Sequence, residues 1–384
     1  MPGTLGHPRP VHLGVDLTDA GAHPAAWRTV GSQAQRLFDA KRLVELVATA
    51  ERGLLDLVTL DDAFSLQPGR RGVRGRLDAA LVASRLAPRS SGIGLVPTVT
   101  TTHTEPFHVS KAVATIDHVS TGRAGWQVGW STSPAEAAAF GRKDPQDEPD
   151  AVAEADEVVE AVTRLWDSWE DDAEIRDVAT GRFVDREKLH YVDHEGIRFA
   201  VKGPSITPRP PQGQPPVVVR VTSPEAADLA ARRADVARVR ATTRDEAVAV
   251  REGLRAAAAD AGRHPDELRV LVDAYVVIGD DRASAQARLD LLEDLEGVSW
   301  DTDSLTHVGT ARDLAATVEE WSAAGGADGF LLRPSSLSTD LDAVVDRVVP
   351  LLQRAGLFRT EYPGTTLRDT LGLARPANRY AAIA

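Results

Sequence analysis

Apolar, β-branched runs alternate with amphipathic helical stretches along most of the chain. VHLGVDL (Val11–Leu17) is the first such run and predicts strand one. A helix is expected over about Asp39–Arg52, where Leu43, Leu46, Val47 and Ala50 recur at helical spacing and Gly53 stands beyond as a C-cap. LLDLVTL, ending at Asp61 and Asp62, reads as strand two, and Leu77–Leu86 as the next helix. GIGLVPTV (Gly92–Val99) is strand three, followed by a Thr-rich loop. Pro106 opens a helix to Ile116, at a position where a missing N–H costs nothing. Ala124–Gly129 is strand four, and a strong helix covers Ala151–Trp166.

The rhythm breaks over 167–215, which is charged and then rich in Pro and Gly. An excursion of loops is expected there, with a short hairpin around His190–Val201. Alternation then resumes. Val217–Val221 is strand five, with a helix from Glu225; Asp235–Arg240 is strand six, with a helix to about Ala261. Arg269–Ile278 is strand seven, with a helix from Arg282. A helix over Thr310–Ala324 precedes GADGFLLRP, strand eight, and a last helix covers about Asp340–Ala355.

Eight strands, each followed by a helix, predict an α/β fold: a closed parallel TIM (β/α)8 barrel. The expected organisation is one domain over 1–384, with an excursion at about 167–215 and a C-terminal tail at about 357–384. An open doubly wound sheet is the alternative, but no Gly-rich dinucleotide loop follows strand one. The tail, GLFRTEYPGTTLRDTLGLARP, is apolar enough to pack on the barrel or on a neighbouring subunit.

Composition narrows the function. The 57 acidic and 44 basic residues give a formal charge of -13, without the basic footprint that nucleic-acid binding needs. There are no cysteines, so disulfides, thiolate metal sites and a cysteine nucleophile are excluded. MPGTLGHPRPVHLG lacks a signal-peptide pattern and no apolar run reaches membrane-span length, so a soluble cytoplasmic protein is expected.

In such barrels chemistry sits at the C-terminal ends of the strands. That selects Asp61 and Asp62; Thr98, Thr100, Thr101, Thr102 and His103; Trp126, Gln127, Trp130 and Ser131; Arg220, Thr222 and Ser223; Arg240 and Thr242; and Arg333 and Ser335. Hydroxyls, amides and arginines dominate, which suits a large planar ligand carrying phosphate better than hydrolysis. Each residue also has a plainer reading. The aspartates can cap the following segment, the threonines can end a strand, and the tryptophans can be core. Arg220 lies inside an apolar strand and needs an anionic partner. A carboxylate such as Asp235 can supply it as well as a ligand, and an internally paired Arg220 would not serve a phosphate. The histidines show neither HxH nor HExxH spacing, so no metal is expected, and no GxSxG elbow marks a nucleophile. Loops near 63–75, 131–150 and 280–310 would shape a substrate pocket but carry no readable pattern.

IDHVSTGRAGWQVGWS (Ile116–Ser131) resembles the signature of flavin-dependent monooxygenases in the bacterial luciferase-like superfamily. The branch is that of the nitrilotriacetate, dibenzothiophene-sulfone and pristinamycin-type monooxygenases. LWDSWEDDA, HEGIRFAVKGPSITPRPPQGQPP, GRHPDEL, GADGFLLRP and GLFRTEYPGTTLRDTLGL extend the resemblance over essentially the whole chain. It implies a TIM barrel that takes reduced FMN from a separate NAD(P)H-dependent flavin reductase. Oxygen would then react at the flavin C4a, and the resulting peroxide would oxygenate a small organic substrate. It also implies a homodimer or homotetramer.

The same resemblance implies cofactor contacts at Asp62, Thr98, Thr100, Trp126 and Gln127, the last replacing an asparagine. The family's H-x-x-R-Y element is DEPDAV (Asp147–Val152) here. Its phosphate-contacting Q-A-G-x-S after strand five is RVTSP, where Arg220, Thr222 and Ser223 stand as replacements. These departures leave two alternatives open: a deazaflavin-dependent oxidoreductase on the same barrel, or a non-catalytic paralogue with an altered flavin site.

Overall fold

The computed structural model describes residues 10–67 and 72–381. Residues 1–9 of the N-terminal stretch, 68–71 of the loop near 63–75, and the last three residues of the tail lie outside them. The strands are β1 (His12–Asp16), β2 (Leu57–Leu60), β3 (Gly94–Thr100), β4 (Trp126–Gly129), β5 (Glu174–Asp177), β6 (Arg182–Val184), β7 (His194–Glu195), β8 (Ala200–Val201), β9 (Val217–Arg220), β10 (Val236–Val239), β11 (Arg269–Gly279), β12 (Leu305–Thr310) and β13 (Gly329–Pro334). The helices are α1 (Ala40–Arg52), α2 (Ala79–Leu86), α3 (Pro106–Ser120), α4 (Pro134–Phe140), α5 (Glu148–Asp167), α6 (Pro224–Arg233), α7 (Arg244–Asp260), α8 (Arg282–Glu296), α9 (Ala311–Ala323), α10 (Leu337–Ala343), α11 (Val349–Arg354) and α12 (Leu367–Thr370).

The main sheet runs β10-β9-β4-β3-β2-β1-β13-β11, and β10 also pairs with β11, so eight strands close on themselves. This is the expected α/β barrel, and the open sheet is excluded. A ninth strand, β12, pairs in parallel with β11 and, among the described residues, with no other strand. It falls in a stretch read from the sequence as loop, because LTHVGT offers only two strongly apolar positions.

Packing divides the chain into two compact units, each built from separated segments. The first comprises Met1–Thr59, Gln67–Gly75 and Ala237–Pro363. Here β1 lies against β13 with Leu13 opposite Phe330 and Val15 opposite Leu332. Leu43, Leu46, Val47 and Ala50 of α1 are all buried, as their spacing predicts. Gly53 is needed for closeness rather than for a left-handed turn: a Cβ there would stand 2.7 Å from Val345 Cγ2. The last helix is not continuous. α10 passes through a π turn at Val344–Val348 before α11. Pro350 sits at the start of α11, and a wider turn accommodates a residue without an N–H.

The second unit comprises Leu60–Leu66, Arg76–Val236 and Gly364–Ala384. α3 runs past Ile116 to Ser120 and ends on Thr121 in a left-handed conformation. The excursion holds the expected hairpin, β7 against β8, and a second one, β5 against β6. From Gly364 on, the tail packs within this unit, whereas residues 357–363 belong to the first. Arg368 pairs with Asp235 and donates to Gln214 O, Arg375 pairs with Asp171, and Asn378 donates to Asp167 O.

Candidate functional site

The signature stretch proves to be scaffold at its start and site at its end. Asp117 is buried at the close of α3 and accepts from Gln212 N, Gln212 Nε2 and Ala124 N, so it ties helix, strand and excursion together. Arg123 is buried too and donates to Ser90 and to the carbonyls of Ala87 and Ile93. Burial pushes the Asp117 carboxyl up to about 6, although its hydrogen bonds favour the charged form. The native state therefore holds this proton through a range where the unfolded chain has released it, and stability falls as pH rises from about 4 to about 6. Asp117→Asn, compared with the parent by urea unfolding across that range, should gain relative stability of up to about 3 kcal/mol with rising pH. A pH-independent difference would refute the linkage.

β4 then alternates. Trp126 is fully buried with its ring edge-on to Trp166 of α5, 6.3 Å away, and its indole N–H donates to Val99 O. It packs between strand and helix rather than facing the mouth. Gln127 points the other way, and its Nε2 donates to Thr98 Oγ1 at 2.6 Å. Thr98 Oγ1 in turn donates to Asp61 Oδ1 at 3.4 Å, and Arg220 Nη2 donates to the same oxygen at 2.5 Å. A polar ladder thus joins the ends of β4, β3, β2 and β9. Gly129 and Thr100 stand just beyond it. A Cβ on Gly129 would lie 3.1 Å from both Thr98 Cγ2 and Thr100 Oγ1, so the glycine lets β4 lie close against these two threonines of β3.

Other sequence candidates serve the scaffold. Asp62 accepts from Ala63 N and Ala79 N at the start of α2, and its burial raises the carboxyl above its ordinary value. The Thr101 hydroxyl donates to Gly129 O, and that of Thr102 accepts from Ser131 N. Ser223 caps α6 by accepting from Ala226 N, and Thr222 donates to Glu148 Oε1 at 3.4 Å. His103 takes a left-handed φ of 71°, uncommon for a residue with a side chain, and stacks on Phe140 at 4.9 Å. Burial, followed by the charge of Lys143, holds its imidazole below the ordinary value. Arg220 finds its partner in Asp61; Asp235 belongs to Arg368. A guanidinium paired in this way is not a phosphate clamp.

In the first unit Ser335 is buried and donates to Asp340, Arg240 pairs with Asp303, and Thr242 bonds to Glu246. Two features there were missed from the sequence. Arg238, 3% exposed, is held between Asp16 and Asp273. The signal was present, since an arginine and an aspartate interrupt the apolar runs VARV and VLVDAYVV. His23 is buried 5.0 Å from Trp300, and burial brings its imidazole down to about 4. His190 and His194 do not form a pair, because each has its own carboxylate, Glu170 and Glu157. Among the described residues no group of three or more His, Asp or Glu could hold a metal ion, and no helix is long and apolar enough to cross a membrane.

A closed (β/α)8 barrel whose strand ends converge on a polar ladder has the construction of an enzyme. The relatives specify which kind. N-acetyl-S-(2-succino)cysteine monooxygenase of Bacillus subtilis (strain 168) is 33% identical over 97% of this chain and 98% of its own length. Nitrilotriacetate monooxygenase component A of Aminobacter aminovorans is 33% identical over 98% of this chain and 99% of its own. A crystal structure of riboflavin lyase with modified FMN and substrate riboflavin superposes with a TM-score of 0.86 at 25% identity, covering 97% of this chain and 98% of that one. The fold and these relatives define an oxidoreductase of the monooxygenase class. The chain belongs to the luciferase-like monooxygenase family, whose family model matches residues 19–357.

The donor set of the ladder is one test of whether a flavin suits the site. An amide, a hydroxyl, a carboxylate and a guanidinium are the kinds of donor and acceptor that a flavin ring's polar edge requires. The ring end therefore fits. The residues around Thr222 do not match a phosphate equally well, since a carboxylate already holds that hydroxyl.

Proposed function

We propose that this chain is the oxygenase component of a two-component flavin-dependent monooxygenase. Reduced flavin, expected as FMN, would come from a separate NAD(P)H-dependent reductase, and the substrate is a small organic molecule. Full-length similarity to a relative named as a monooxygenase component supports the reading. When bound, reduced flavin supplies two electrons, so that one atom of O2 enters the substrate and the other leaves as water. The chain's own task is to bind, orient and exclude solvent. Asp61 and Arg220, both part exposed, would meet the ring, and the buried Thr98 and Gln127 would hold Asp61 in place behind them.

Anaerobic titration with reduced FMN, followed by admission of oxygen and observation of flavin absorbance, tests the reading. Absence of binding by any reduced flavin at high micromolar concentration would remove it. Thr98→Val keeps the shape but deletes the hydroxyl that links Gln127 to Asp61. It should cost about 1 kcal/mol of stability and weaken reduced-flavin binding about tenfold. Unchanged affinity by calorimetry would place the flavin elsewhere. A homodimer or homotetramer is proposed as well, and light scattering on the full chain is its check.

A further inference from the structure

Resting on that flavin reading, we infer that the site recognises the cofactor by its ring system and gains no affinity from its phosphate, so that riboflavin binds at least as tightly as FMN. Beside the ladder, the cation, hydroxyls and helix N-terminus that a flavin's phosphate could use stand at the end of β9, where Arg220 is followed by Thr222 and Ser223. A phosphate there would need unspent hydroxyls, unspent cations or an open helix N-terminus. Each of these is engaged by a group of the chain itself. Arg220 holds Asp61 at 2.5 Å. Ser223 is occupied as the N-cap of α6, and Glu225 already places a carboxylate in that helix's first turn. Thr222 gives its hydroxyl to Glu148 at 3.4 Å.

The Thr222–Glu148 bond also fixes what stands opposite. It brings the start of α5 against this loop, and that start reads Asp147, Glu148, Pro149, Asp150. The guanidinium that reaches this helix start, Arg198, is shared between Asp150 and Glu157 at 3.3 and 3.9 Å. Carboxylates therefore outnumber cations around Thr222, and a phosphate dianion would approach like charge. Between exposed groups such repulsion is modest but is screened by salt in a defined direction. A phosphate cradle lined by cations would show the opposite salt dependence.

The full-length protein titrated anaerobically with reduced FMN and with reduced riboflavin, by calorimetry at low and at physiological ionic strength, separates the possibilities. The expected result is riboflavin affinity equal to or above that of FMN, with FMN binding tightening as salt is added and riboflavin binding unmoved. Glu148→Gln should then strengthen FMN binding about five- to tenfold and leave riboflavin unchanged. FMN preferred over riboflavin by tenfold or more, or FMN binding that weakens with salt, would overturn the inference while leaving the flavin reading intact. Failure of both flavins to bind would overturn the two together.

Discussion

Replacing Arg238 by methionine is expected to destabilise the protein by about 3–5 kcal/mol. The side chain is almost wholly buried, and its guanidinium lies 3.0 Å from Asp273 and 3.4 Å from Asp16. Both carboxylates are themselves largely buried. Methionine fills similar volume, so packing changes little. What remains is two acidic groups without their shared counter-ion in a medium that solvates charge poorly. Urea unfolding at neutral pH measures the loss. A second variant, Arg238→Met combined with Asp273→Leu and Asp16→Asn, should recover much of it, since replacing a whole buried ionic cluster by uncharged groups is often neutral. A loss below about 1 kcal/mol in the single variant would mean that the cluster is far better hydrated than its burial indicates.

Gly129→Val is expected to be the most damaging single change at the ladder. Its Cβ would meet Thr98 Cγ2 and Thr100 Oγ1 at 3.1 Å and the Thr100 backbone at 3.3 Å, so the neighbours must yield before the two further methyls are placed. Overpacking of this kind costs about 1–3 kcal/mol of stability. The larger effect should be on binding, because the displaced Thr98 is the link that holds Gln127 and Asp61 in the ladder. Reduced-flavin affinity should fall by about a hundredfold, or about 2.7 kcal/mol. Gly129→Ala adds only the Cβ and should fall between parent and valine. Undiminished affinity in a folded valine variant would place the flavin away from this part of the mouth.

The contrast between Trp126 and Gln127 shows how far the sequence could reach. Both were candidates because they stand in one signature on one strand. Neighbouring residues on a strand face opposite sides, so only one could point into the barrel. Which one depends on the register that packing selects: Trp126 meets Trp166 of α5, and Gln127 is left to meet Thr98. Asp61 and Asp62 separate in the same way. Two adjacent carboxylates follow β2. One caps a helix start through Ala79 N, and the other receives Arg220, which is 159 residues distant in sequence. Local pattern has no means to distinguish them.

The elements and the barrel class were legible because burial imposes periods on the sequence. Apolar runs of β-branched residues and stripes such as Leu43–Leu46–Val47–Ala50 record, position by position, which surface leaves water. Pro106, Gly53 and the break over 167–215 mark boundaries for equally local reasons. The same logic missed β12, whose single partner strand demands little apolar surface, and the π turn that Pro350 accompanies within the last helix. The site depended on something else. The ladder of Gln127, Thr98, Asp61 and Arg220, and the meeting of Thr222 with Glu148, join residues from separate strands and helices. Hydrogen bonds act over about 3 Å, and only the closed fold brings those atoms so near. The sequence determined which segments would leave water, while the tertiary structure decided which of their polar groups would meet.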